Sequence, residues 1–188
     1  MNERKNIPFT AEHFTQFVQK MQGQPYWYGT CLYPCTKELY EYKRKQYPEE
    51  YDPYGEDIFL DAIQKHKIAA DCSGALKGYA WTNGAQDVYE SIGKQNPYYV
   101  TKREEICPDL SSDDLFAWAC RQGAEHGTID SLKEAEGIIL RWEGHMGFYI
   151  GKHHVIEWRN PIVGCVMTIR EERPWTHWYK IPFLDYGK

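Results

Sequence analysis

The sequence has no apolar run long enough to span a bilayer, although hydrophobic residues make up 42% of it. Cysteine is sparse. Six residues in a chain of 188 are too few for a disulfide scaffold. An excess of positive charge is also missing: Lys plus Arg is 22 against 27 Asp plus Glu, a formal net charge of −5. That balance argues against a broad phosphate-neutralising face, so neither a nucleic-acid partner nor membrane insertion is expected. The first six residues, Met1-Asn2-Glu3-Arg4-Lys5-Asn6, are charged and no apolar segment follows them, so a secretory signal is not expected. No G-x-x-x-x-G-K phosphate loop and no G-x-S-x-G elbow occurs.

The length fits one domain over residues 1–188, with a core large enough to need no metal or disulfide. Aromatic residues reach 15%. Phe14, Phe17, Val18 and Met21 recur at helical spacing after Thr10, which predicts an amphipathic helix over residues 11–22. Eight of the fifteen tyrosines follow in residues 26–54, punctuated by Pro and Gly. This stretch reads as ordered loop around one short helix starting near Thr36. Ile58, Phe59, Ala62 and Ile63 suggest a further helix. Another is expected to open near Cys72, capped by Asp71. Residues 82–110 are polar and carry no clear pattern. Ser111-Ser112-Asp113-Asp114 is a capping-box-like entry to a helix stopping near Gly123. After Gly137 the chain becomes β-branched and aromatic. Strands are expected at 138–140, 145–150, 154–158, 165–169 and 180–183. Helices first and strands afterwards give an α+β fold, N-terminal helices on a C-terminal antiparallel sheet.

Asp71-Cys72-Ser73-Gly74 carries the first chemical signal. A cysteine in the first turn of a helix lies near unsatisfied N–H groups, which favour the thiolate and can donate to an oxyanion. Gly74 leaves room for a substrate backbone. The competing reading is a small buried cysteine beside a capped helix. His145 is the outstanding candidate partner, in the glycine-flanked strand Gly144-His145-Met146-Gly147-Phe148-Tyr149-Ile150-Gly151. Gly147 suggests close approach of another backbone or a ligand. A helix-start Cys and a strand His, far apart in sequence, is the arrangement of papain-like Cys–His catalysis.

Three segments in this order resemble the NlpC family of papain-like bacterial cell-wall peptidases. Pro25-Tyr26-Trp27-Tyr28-Gly29-Thr30 resembles the aromatic segment ahead of the nucleophile. Asp71-Cys72-Ser73-Gly74 matches the nucleophile motif. Residues 144–151, followed by His154-Val155-Ile156-Glu157, resemble the catalytic-His strand and the strand after it. The insert around 31–65, Gly137-Ile138-Ile139-Leu140, and Trp175-Thr176-His177-Trp178 with Tyr186 look most like the phage and mobile-element, endolysin-like branch. Two places depart from the family pattern. Ile138 stands where many members have Asp, and Glu157 where the third catalytic residue is often His. A carboxylate can orient an imidazole through Nδ1–H, so Glu157 is a candidate, with His154 and Asn160 as rivals.

The resemblance implies a cysteine peptidase or amidase acting on peptidoglycan stem peptides without cofactor or metal. Cys72 would be nucleophile, His145 its proton partner and Glu157 the orienting group. Tyr26, Asp71, Ser73 and Gly144 would contact substrate. The bond implied is the D-Glu to diamino-acid link or the muramoyl–L-Ala amide. The enzyme would be made without a signal and act at the wall after release, or be a domain of a longer exported protein. Two other classes compete: a non-catalytic wall-binding module on the same fold, and a small-substrate cysteine amidase.

Cys31 and Cys35 have roughly zinc-like spacing, but no second pair accompanies them, so unpaired thiols are expected. His153 and His154 are adjacent and should point to opposite faces. Lys43-Arg44-Lys45 reads as a solvated helix face. The aromatics of residues 26–54, with Trp175, Trp178, Tyr179 and Tyr186, are expected to wall a cleft around Cys72 and His145.

Overall fold

The computed structural model describes residues 9–94 and 99–187. The charged segment at residues 1–6 lies outside the described residues. Helix α1, Ala11–Lys20, begins where the Thr10 side chain accepts a hydrogen bond from the His13 N–H at 3.1 Å. It buries Phe14, Phe17 and Val18 completely. Each such side chain contributes about 1.5–3 kcal/mol through apolar burial.

Strand β1, Cys31–Pro34, pairs antiparallel with β2, Ile68–Ala70. Between them lie α2 (Lys37–Gln46), α3 (Pro48–Tyr51) and α4 (Glu56–Gln64). Residues 26–54 are therefore more helical than their Pro and Tyr content suggested. Thr36 caps α2 by accepting from the Leu39 N–H, and Pro48 occupies the first turn of α3, where its missing N–H costs nothing. Tyr40, Tyr51 and Phe59 stack at 4.9 and 5.1 Å around buried Trp27. That separate aromatic core holds helices that local propensity alone does not specify.

Helix α5 runs Gly74–Trp81, α6 Gln86–Ser91 and α7 Ser112–Arg121. The α7 entry is capped as expected, with Ser111 Oγ accepting from the Asp114 N–H. The main sheet contains β3 (His126–Thr128), β4 (Ile138–Trp142), β5 (His145–Tyr149), β6 (His154–Trp158), β7 (Cys165–Ile169) and β8 (His177–Tyr179). Its order is β3-β8-β4-β5-β6-β7, and every recorded pairing is antiparallel. The last strand lies at 177–179, not at the expected 180–183. Tyr179 pairs with both Ile139 and His126, and Pro182 has no N–H to extend the ladder. The chain is thus α+β, with helices on one face of an antiparallel sheet.

Strand alternation divides this sheet into two cores. Ile139, Met146, Phe148 and Ile156 face the helices and pack with Phe14, Leu76 and Leu115. Ile138, Leu140, Tyr149 and Val155 face the other way, beneath Trp175 and Trp178. No described helix is long and apolar enough to cross a membrane.

Candidate active site

Cys72 sits in the turn that links β2 to α5. Asp71 builds that turn. Its Oδ1 accepts from the Ser73 N–H (3.0 Å), the Ser73 hydroxyl (3.1 Å) and the Gly74 N–H (2.6 Å), and its Oδ2 from the Gly29 N–H (2.9 Å). The first helical bond runs from the Ala75 N–H to the Asp71 carbonyl. By hydrogen bonding, then, Cys72 belongs to the first turn, although the regular helix begins at Gly74. Gly74 makes no room for substrate. A Cβ there would stand 1.8 Å from the Thr30 carbonyl oxygen, so the chain's own backbone fills the space.

Two expectations about the thiol change here. The amides of Ser73, Gly74 and Ala75 are already taken by Asp71. Among the described residues no hydrogen bond engages the Cys72 N–H, so it is the amide of this turn still free to donate. The surroundings of the sulphur also work against the thiolate that a helix start favours. Burial, then the neighbouring Asp71 charge, push the Cys72 pKa up to about 12, against the opposing pull of the Met146 and Ser73 backbones and Lys77.

The Met146 contact joins this turn to the histidine strand. Recorded β5–β6 pairing covers only Phe148↔Ile156 and Tyr149↔Val155. Met146 lies beyond that pairing, is paired with Arg141 of β4, and its backbone acts on the Cys72 sulphur. The Met146 amide is the peptide unit that follows His145, so the two predicted catalytic residues are brought within one peptide unit. No hydrogen bond joins the thiol to the His145 ring.

His145 Nε2 lies 2.8 Å from Oε2 of Glu157, which is 0% exposed. Glu157 also accepts from the Thr168 hydroxyl (2.8 Å) and from Arg173 Nε (2.9 Å) and Nη2 (3.1 Å). Burial alone would raise its pKa. The hydrogen bonds from His145, Arg173 and Thr168 outweigh burial and hold it below the ordinary glutamate range. An ionised carboxylate only accepts, so the His145 proton sits on Nε2, and Nδ1 remains for the thiol. This reverses the expected attachment through Nδ1–H. The rivals are engaged elsewhere or unattached: Asn160 Oδ1 accepts from the Ile162 and Val163 amides, and His154 makes no bond to His145. Ile138 is a fully buried apolar residue of the outer core.

The His145 ring lies against Trp142 at 4.5 Å and is stacked with Trp175 at 5.9 Å, 17° between planes. Gly147 admits Trp175 and not a ligand. A Cβ there would lie 2.8 Å from the indole rim. Upstream, Asp113 accepts from the Gly144 N–H at 2.9 Å and pairs with Arg141 at 2.5 Å, fixing the hairpin that presents His145.

A groove of about 710 Å³ opens beside Cys72. Tyr26, Asp71, Ser73 and Gly144 all line it; the His145 ring does not. Tyr26 is a close neighbour of the thiol. Its hydroxyl is held protonated by burial first, then by the negative charge Cys72 would carry as thiolate and by that of Asp71. Five of the eight clustered tyrosines, Tyr26, Tyr28, Tyr33, Tyr42 and Tyr47, wall the groove. Trp27, Tyr40 and Tyr51 form the separate core, and the tail aromatics Trp178, Tyr179 and Tyr186 pack in the interior cores. The aromatic expectation therefore holds for part of the first group and, in the tail, only for Trp175, which lies against His145.

Arg44 and Lys45 are exposed, but Lys43 is buried on the groove wall, a departure from the solvated-face reading. Cys31 and Cys35 are free thiols in different clusters. Among the described residues no group of His, Cys, Asp and Glu is arranged to hold a metal ion. Sequence reasoning missed Thr168 and Arg173. Neither carries a motif, and their approach to Glu157 depends on the β6–β7 register, where Glu157 faces Val166 and Val155 faces Thr168.

No protein-family model matches the chain, and no curated protein matches it. Among solved structures the chain is similar to that of the peptidoglycan hydrolase RipB from Mycobacterium tuberculosis. The identity is 15% and the TM-score 0.47, over 97% of this chain and 69% of that one.

Proposed function

We propose that the protein is a cysteine hydrolase that cleaves an amide bond in peptidoglycan stem peptides. The observation that carries this reading is the Cys72 turn itself: a thiol beside a peptide-sized groove, resting on the backbone of the strand that holds a Glu157-oriented histidine. The motif resemblance supplies the substrate class.

The steps follow from the arrangement. A scissile amide lies along the groove with its carbonyl carbon at the Cys72 sulphur. His145 Nδ1 takes the thiol proton as the sulphur attacks, because burial and the Asp71 charge disfavour a free-standing thiolate. Glu157 stabilises the resulting imidazolium through Nε2. The Cys72 N–H, with the Tyr26 hydroxyl beside it, donates to the oxyanion. The imidazolium then protonates the leaving amine, and water delivered by His145 releases the acyl group. The bond cleaved is the D-Glu to diamino-acid link or the muramoyl–L-Ala amide, and the protein acts at the cell wall after release.

The test uses purified cell walls. Cys72→Ala and His145→Ala are expected to abolish release of peptide or amine ends while retaining the wild-type circular dichroism spectrum. Full lysis by Cys72→Ala, or inhibition by a chelator but not by iodoacetamide, overturns the reading. A non-catalytic wall-binding module is the second reading. It is favoured by the raised Cys72 pKa and by the missing hydrogen bond to His145. It requires wall binding without turnover.

A further inference from the structure

Lys43 is only 9% exposed, and its ammonium lines the same groove. Buried charges are ordinarily paired, because an unpaired one bears the full cost of leaving water. Of the other two groove lysines, Lys77 is as buried as Lys43 and Lys102 is half-exposed. Lys77 and Lys102 both pair with Asp109. Lys43 does not. Its Nζ makes one hydrogen bond, to the neutral Gln46 Oε1 at 3.2 Å, and stands 5.5 Å from the ring centres of Tyr42 and Tyr47. Among the described residues no carboxylate lies within ion-pair distance of it. Ring faces attract a cation but weakly, about 0.5–2 kcal/mol each, and do not replace an anion.

Its position is also defined. A Cβ on Gly29 would lie 3.3 Å from Lys43 Nζ, and the Gly29 N–H donates to Asp71, the residue that builds the Cys72 turn. The cation therefore stands over the segment next to the nucleophile, within reach of a peptide extended along the groove. Burial shifts Lys43 below the ordinary lysine range and outweighs the more distant pull of Asp71 and Asp109, neither of which pairs with it.

We infer that Lys43 is a specificity-determining residue that binds a free carboxylate of the substrate peptide, so that the groove selects acidic over amidated stem peptides. The inference rests on the hydrolase reading of the same groove. A stem peptide joined through the γ-carboxyl of its D-Glu residue carries such a free α-carboxylate. The corresponding carboxamide is isosteric but neutral, and it would leave Lys43 buried without an anion.

Calorimetric titration of Cys72→Ala protein with L-Ala-γ-D-Glu-diaminopimelate and with its D-Glu α-carboxamide tests this. The carboxylate peptide is expected to bind at least tenfold more tightly. Adding Lys43→Met, which keeps the buried stem, is expected to bring the two peptides within twofold, and Lys43→Arg to restore part of the preference. Equal affinity for the two peptides, no binding of either, or an unchanged ratio in Lys43→Met overturns the inference. The comparison of the two peptides needs no Lys43 variant, so it stands if Lys43→Met does not fold. Cell-wall lysis by the otherwise wild-type protein, lost in Cys72→Ala, shows separately whether the hydrolase reading survives.

Discussion

His145 Nε2 is 2.8 Å from Glu157 Oε2, and this pairing decides which imidazole nitrogen is free. Glu157 is fully buried and takes four hydrogen bonds in all, three of them from Thr168 and Arg173. Its carboxylate is thus held in one place, and so is the ring it orients.

Replacing that carboxylate by the amide of Glu157→Gln leaves the shape and removes the charge. An amide can donate to Nε2 and stabilise the wrong tautomer. Activity on a stem-peptide substrate is expected to fall by about 10²–10⁴-fold in kcat with little change in KM, as for carboxylate loss in comparable triads. Glu157→Ala is expected to be worse for folding. It strands Arg173 and costs about 3 kcal/mol by urea denaturation.

The same group makes stability depend on acid. Glu157 is held below its unfolded value, near 4.3, by His145, Arg173 and Thr168 against the opposing effect of burial. Its contribution is complete above that unfolded value and is lost as pH falls through the lower folded one. The difference in Tm between wild type and Glu157→Gln should be constant above about pH 5 and shrink on further acidification. A difference that does not change between pH 6 and pH 2 contradicts the assignment.

Asp71 raises the Cys72 pKa while it caps the turn. Asp71→Asn is expected to shift the pH–rate profile of iodoacetamide labelling at Cys72 downward, because the adjacent negative charge is gone. The weaker cap should lower stability by about 1 kcal/mol. An upward shift would contradict the electrostatic account.

Two glycines should respond differently to alanine. At Gly74 the added methyl meets the Thr30 carbonyl, a backbone atom on β1's approach that cannot move independently. A loss of about 3 kcal/mol or outright misfolding is expected. At Gly147 the methyl meets the Val155 side chain and the rim of Trp175. A smaller loss of about 1–2 kcal/mol is expected. Because Trp175 stacks on His145, kcat should fall more than stability does.

The helices with side-chain caps were legible because their signals are local. Thr10, Thr36 and Ser111 each accept the hydrogen bond their spacing implies. The consecutive strands β4 to β7 were legible because alternation and β-branching mark them. The short strands β1, β2, β3 and β8 were missed or displaced. Three or four residues carry too little pattern, and pairing partners distant in sequence define them.

The sequence by itself determined that a cysteine would stand at the start of a helix, that a histidine would open a glycine-flanked strand, and that a carboxylate twelve residues on was available to it. These follow from motif spacing and short-range hydrogen bonding. Only the tertiary structure decided which groups meet. The β5–β6 register puts Glu157 on the same sheet face as His145, and the Met146 backbone meets the Cys72 turn. Burial disfavoured the thiolate that the helix start suggested, gave Gly74 and Gly147 to the protein's own Thr30 and Trp175, and left Lys43 in the groove without an ion-pair partner. Such outcomes depend on desolvation and on contacts between segments far apart in the chain, and neither is written in local spacing.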